Sequence, residues 1–111
     1  MDMPERDATC LGAALARCDL TAEALMEATL GRIAAWNSAL TAIVSLRDAG
    51  ALMEEARAAD RTTRRGWLHG IPVAVKDLSD AAGLPTTRGS PLFADHLAAA
   101  DGAVARRLKE A

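Results

Sequence analysis

Gly66-Trp67-Leu68-His69-Gly70-Ile71-Pro72-Val73-Ala74-Val75-Lys76-Asp77 is the stretch on which the fold turns. Ile71, Val73 and Val75 give it β-branched character, which predicts a strand over about 71–76. Pro72 is tolerated near the start, where a residue need not donate to a ladder. Both faces read apolar, so the strand is expected to be buried on both sides, as in a helix-covered sheet. Gly66 and Gly70 mark the loop that leads into it. Alternation places Lys76 on the side of Pro72 and Ala74, with Val73, Val75 and Asp77 on the other.

Upstream, Asp48 is a helix cap and the spacing predicts a helix over about 49–61. Leu52, Ala56 and Ala59 form its apolar side, while Glu54, Glu55 and Arg57 face water. A shorter β-branched run predicts a strand at about 42–46. Before it, Thr21 caps a helix over about 21–36, with Glu23 in the first turn and Leu20 and Leu25 in the positions of a hydrophobic staple. Leu25, Thr29, Ile33 and Trp36 share one stripe, so Trp36 reads as core, and Asn37 is suited to end the helix. The first helix is expected at about 6–17, on the spacing of Leu11, Ala14, Leu15 and Cys18. Downstream, residues 78–90 read as loop, Ser90-Pro91 as the cap of a short helical turn, and Asp101 as the cap of a helix at about 102–110. The expected fold is α/β, a mixed sheet covered by helices. Residues 1–111 are expected to form a single incomplete domain, because the last helical pattern carries no stop signal.

Composition narrows the function. Half of the 111 residues are apolar, but alanine supplies much of that half and only Trp36, Trp67 and Phe93 are aromatic. Alanine buries little area at about 25 cal/mol per Å², so the core is expected to be thin. A net charge of −2 gives no nucleic-acid footprint. Arg61, Arg64 and Arg65 follow an acidic helix and are expected to complement its C-terminal dipole. Cys10 and Cys18 are too far apart on one helix for a disulfide and make no zinc pattern. No apolar run is long enough to span a membrane, and the polar start MDMPERDAT does not read as a leader. A cytoplasmic protein without metal or cofactor is expected.

Lys76 is the residue that demands explanation, since a charge at the end of a buried strand is costly unless it is used. On the residues alone three readings stay open. Lys76 leaves the sheet edge and reaches water. Alternatively, Val73-Ala74-Val75-Lys76 is the phosphate-pairing strand of a protein kinase, although Gly66 and Gly70 lack the spacing of the glycine-rich loop that such a strand follows. In the third reading Lys76 is a general base that takes the proton of a hydroxyl nucleophile, as in serine–lysine variants of the catalytic triad. His69 and His96 have no nucleophile or carboxylate placed beside them and read as structural or surface residues.

The stretch Gly66 to Leu78, followed by Ala82-Gly83-Leu84-Pro85-Thr86-Thr87 and Gly89-Ser90, resembles the lysine region of the amidase signature family. Leu20 to Leu46 resembles that family's leading helix and first strand, and Asp101 to Leu108 the helix after its lysine loop. The resemblance implies an amide hydrolase with a Ser–Ser–Lys triad. In such a triad a bridging serine, with a cis peptide bond, relays the nucleophile's proton to the lysine, and backbone N–H groups form an oxyanion hole. Lys76 matches the lysine, whereas Gly70 and Pro72 match the structural turn before it. The resemblance places both serines in a glycine- and serine-rich stretch downstream, a motif that Ser79 and Ser90 do not occupy. The expected function is therefore the lysine-bearing, N-terminal segment of an amidase, inactive alone, whose complete form acts on a small-molecule amide. Two alternatives stand beside it: the A-type component of a glutamyl-tRNA amidotransferase, and a non-catalytic module that forms homo-oligomers to cover an open sheet edge.

Overall fold

The structure, a computed structural model, describes residues 5–111. The first four residues of the polar start lie outside the described residues. The chain divides into two compact units, one running up to Pro72 and one spanning Val73–Ala111.

The first unit is helical. Helix α1 (Ala8–Ala16) starts at Asp7, whose carboxylate accepts from the Cys10 N–H at 2.8 Å. It buries Leu11, Gly12 and Ala14. Helix α2 (Ala22–Leu40) starts at Thr21, as the capping pattern predicts, and the Thr21 hydroxyl accepts from the Ala24 N–H at 3.1 Å. Helix α3 (Ala49–Arg61) starts at Asp48 and ends where the sequence places it. It packs on α2. Asp60, near its C-terminal end, accepts from the N–H groups of Ala22 and Glu23 at 2.7 and 3.0 Å. Thus the orphan donors of α2 are satisfied partly by its own cap and partly by α3. Arg57 reaches from α3 to Glu23 at 2.7 Å and also pairs with Glu54.

The loop after α3 is tied to both α1 and α3. Gly12 lets α1 lie so close to the following loop that an added Cβ would stand 2.9 Å from the Trp67 carbonyl oxygen. Arg64 donates to the carbonyls of Trp67 and His69, at 2.8 and 3.3 Å, and His69 Nε2 lies 2.9 Å from the Ala59 carbonyl. Arg64 therefore organises its own loop, and Arg61 alone of the basic cluster sits in the last turn of α3.

In the second unit, residues 83–86 run antiparallel to 96–98. Gly83 N–H donates to the Ala98 carbonyl at 2.8 Å, Ala98 N–H to Leu84 at 3.1 Å and Thr86 N–H to His96 at 3.0 Å. Pro85 and Leu97 form an isolated bridge there. A 3-10 turn (Pro91–Phe93) is capped by Ser90, as the Ser-Pro pair predicts. Helix α4 (Ala103–Glu110) completes the unit and buries Ala105.

The helices stand near their expected ranges, but the mixed sheet does not form among the described residues. Neither 42–46 nor 71–76 is a strand. A β-branched run becomes a strand only beside a ladder partner. At 42–46 the backbone is already engaged: Asn37 reaches back from α2, its carboxamide donating to the Ile43 carbonyl at 2.9 Å and accepting from the Ile43 N–H at 2.8 Å. Hence Asn37 does not end α2; the helix runs on to Leu40 and Thr41 takes the left-handed turn at φ 47°. At 71–76 no neighbouring segment supplies a ladder, and Val73 is 44 % exposed rather than buried.

Three side-chain expectations also fail. Trp36 is 58 % exposed and is not core. Asp101 does not cap α4. The N-cap is Gly102, and the Asp101 carboxylate instead accepts from the Ala82 N–H at 2.8 Å and from Lys109 Nζ at 2.7 Å. Cys18 leaves the α1 stripe in a left-handed turn, so both cysteines are free and exposed.

Candidate active site around Lys76

Lys76 lies in irregular chain with its side chain exposed. Its carbonyl closes a turn by accepting from the Ser79 N–H at 2.9 Å. No hydrogen bond or ion pair of its amine occurs among the described residues.

The adjacent Asp77 is committed elsewhere. Its Oδ1 accepts from the Thr87 N–H at 2.7 Å, and its Oδ2 accepts from the Thr87 hydroxyl. Its backbone carbonyl accepts from the Arg88 N–H at 3.0 Å. The Thr87 hydroxyl, then its N–H, hold the Asp77 carboxyl below the ordinary aspartate value, while partial burial opposes them. Asp77 is thus not the ion partner of Lys76, in keeping with the alternation argument, although the strand behind that argument is absent.

Beyond Thr87 the chain reverses. Ser90 N–H donates to the Thr87 carbonyl at 2.9 Å, and the two residues between them, Arg88 and Gly89, have φ of 55° and 69°. Two positive φ angles in a row are the pattern of a type I′ turn. Glycine takes that conformation readily; arginine does not. Arg88 is kept there by the Asp77 carbonyl, and its guanidinium stands over the Phe93 ring at 5.5 Å.

The remaining candidates divide plainly. The Ser90 hydroxyl caps the 3-10 turn by accepting from the Leu92 N–H at 3.3 Å. His96 is exposed and contributes its backbone to the pairing with Thr86. His69 holds the end of α3. Sequence reading missed Thr87, because its bond to Asp77 spans ten positions; the signal was a carboxylate and a hydroxyl within one motif. It missed Asp60 as a remote cap for the same reason. Among the described residues no group of three or more His, Cys, Asp or Glu is arranged to hold a metal ion, and no helix is long and apolar enough to cross a membrane.

Comparison with known proteins matches the model of the Amidase family to residues 24–111. An acylamidase of Rhodococcus erythropolis is 36 % identical over 110 residues, which is 94 % of this chain and 22 % of the relative. The A-type component of the glutamyl-tRNA(Gln) amidotransferase of Anaeromyxobacter sp. (strain K) is 39 % identical over 104 residues, 90 % of this chain and 21 % of the relative. The corresponding component from Chloroflexus aggregans is 45 % identical over 85 residues, 73 % of this chain and 17 % of the relative. The chain spans about a fifth of the length of these relatives.

Proposed function

This chain belongs to the amidase family, and on that footing we propose that it supplies the lysine of an amide-bond hydrolase, with Lys76 as general base. The observation that carries the reading is the joined motif of residues 69–77, 82–87 and 89–90, at whose centre stands an amine with no hydrogen-bond or ion-pair partner among the described residues. A base needs that availability before it can take a proton. The neighbouring carboxylate, which would otherwise occupy the amine, is spent on Thr87.

In the reaction implied by the family resemblance, a serine hydroxyl attacks the amide carbon as its proton passes through a second serine to Lys76. The proton later returns to the leaving amine. Neither serine near Lys76 in the sequence suits that work: Ser90 is a cap, and Ser79 sits in the turn that Lys76 closes. We therefore assign the two serines and the oxyanion hole to chain outside these 111 residues. The segment by itself is expected to be inactive, since no one residue replaces a nucleophile and its oxyanion donors. The test is Lys76→Ala in a full-length enzyme containing this chain. Turnover should fall by at least about 10³-fold while the fold persists. Near-normal turnover removes Lys76 from the mechanism.

A second reading is favoured by the relatives. Several are named as the A-type component of a glutamyl-tRNA(Gln) amidotransferase, and one as an acylamidase. Assaying the full-length enzyme on simple acylamides, and separately for glutamine-dependent amidation of glutamyl-tRNA, distinguishes the two. The net charge of −2 lends no support to a tRNA-binding surface in this segment.

A further inference from the structure

We infer that Asp77 and Thr87 form a clasp that positions Lys76 for the reaction, which makes both of them positioning residues rather than parts of the scaffold alone. The inference rests on the reading of Lys76 as the base.

A catalytic group works only if it is held near its productive geometry, and a misplacement of about 1 Å costs on the order of 100-fold in rate. Lys76 lacks the usual supports, since it sits in neither a helix nor a ladder. What fixes its backbone is the chain that follows. The Lys76 carbonyl is tied to Ser79 at 2.9 Å, and the next residue is tied across the loop at three points: Asp77 Oδ1 to the Thr87 N–H at 2.7 Å, Asp77 Oδ2 to the Thr87 hydroxyl, and the Asp77 carbonyl to the Arg88 N–H at 3.0 Å.

The far side of the clasp is itself held by hydrogen bonds. Thr87 accepts from Gly89 N–H at its hydroxyl, at 3.3 Å, and from Ser90 N–H at its carbonyl, at 2.9 Å. Arg88 holds a left-handed conformation that a non-glycine residue keeps only when its surroundings over-determine it. Both carboxylate oxygens of Asp77 are consumed by Thr87. The residue next to the base therefore acts as an anchor and not as a counter-charge.

A purely structural clasp would lower stability without changing the chemistry of folded molecules, and kinetics separate the two roles. In a full-length enzyme containing this chain, Asp77→Ala and Thr87→Val should lower kcat by about 10- to 100-fold with KM within about two-fold. Thr87→Ser keeps the hydroxyl that Thr87→Val lacks and should hold kcat within about two-fold of the parent. Asp101→Asn is the control: it removes the carboxylate charge that pairs with Lys109 in the same unit and should leave kcat unchanged. If folded Asp77→Ala and Thr87→Val keep parental kcat while Lys76→Ala loses it, the clasp is structural and this inference alone fails. If Lys76→Ala itself keeps turnover, the base assignment fails first.

The 111-residue chain offers a test without activity. The backbone amide order parameter of Lys76 should drop below about 0.6 in Asp77→Ala and stay at the parental value in Asp101→Asn. An undisturbed Lys76 amide in Asp77→Ala overturns the inference.

Discussion

Gly70 shows how a single position can be fixed by two independent demands. Its φ is 84°, and an added Cβ would lie 3.1 Å from the Ala22 side chain and 3.6 Å from Leu15. The left-handed backbone alone costs an L-residue about 1–2 kcal/mol, and Ala22 is too deeply buried to move aside. Gly70→Ala should therefore lower the urea midpoint by the equivalent of about 2 kcal/mol with an unchanged m-value. A midpoint equal to the parent's would mean that the turn relaxes. Carboxylates make a second residue-scale prediction. Asp77 is held low by Thr87, and Asp101 by Lys109 and then by the Ala82 N–H. A depressed folded pKa means that the unfolded chain binds more protons, so stability rises with pH. The contribution is fully present above the unfolded value near 3.8 and is lost as pH falls through the lowered folded values. Urea midpoints taken from pH 6 down to about pH 3 should fall less steeply in Asp101→Asn than in the parent, and parallel curves would contradict the assignment. The candidate site was legible at this scale only in part. Lys76 stands out because a charge ends an apolar run. Thr87 does not, because its role is made by a contact that local spacing cannot display.

Elements follow the same division. Thr21, Asp48 and Ser90 were legible as caps because each bonds an N–H within three residues. The strands were misread because pairing is non-local: Asn37 occupies Ile43, and 71–76 has no ladder neighbour among the described residues. Asp60 capping α2 from α3 belongs to the same non-local class. Asp60→Ala leaves the Ala22 and Glu23 N–H groups without that acceptor and should cost about 1–2 kcal/mol. Amide exchange at Ala22 and Glu23 should quicken more than elsewhere in α2, and uniform exchange would deny the cap. Two glycines inside helices make opposite predictions. At Gly31 an added Cβ meets nothing within 4 Å, so Gly31→Ala should stabilise α2 by about 0.5–1 kcal/mol. At Gly12 the same gain is outweighed, because the Trp67 carbonyl oxygen at 2.9 Å is backbone and does not yield easily; overpacking costs about 1–3 kcal/mol. Thermal melts of the two variants should shift in opposite directions.

For the molecule as a whole, the thin core expected from an alanine-rich sequence is what the structure contains. The buried apolar side chains among the described residues are Leu11, Leu25 and a set of alanines that includes Ala14, Ala22, Ala56 and Ala105. Large apolar side chains lie outside instead. Trp36, Leu40, Val44 and Leu46 are 58, 65, 69 and 50 % exposed, and they follow one another along the end of α2 and the segment after it. An alanine contributes less area than a leucine at about 25 cal/mol per Å², so burial here leaves little margin over the entropy of ordering the chain. Exposed apolar side chains close together lower their free energy by meeting another such surface. The 111-residue chain should accordingly melt in a broad, low transition, bind a hydrophobic dye in its native state, and show a sedimentation coefficient that rises with concentration. Replacing Trp36 and Leu40 together with serine should abolish the concentration dependence and leave helicity nearly intact, because neither side chain is part of the buried set. A sharp melt with concentration-independent sedimentation in the parent would show that these side chains are as harmless singly as scattered surface apolar residues are in most proteins.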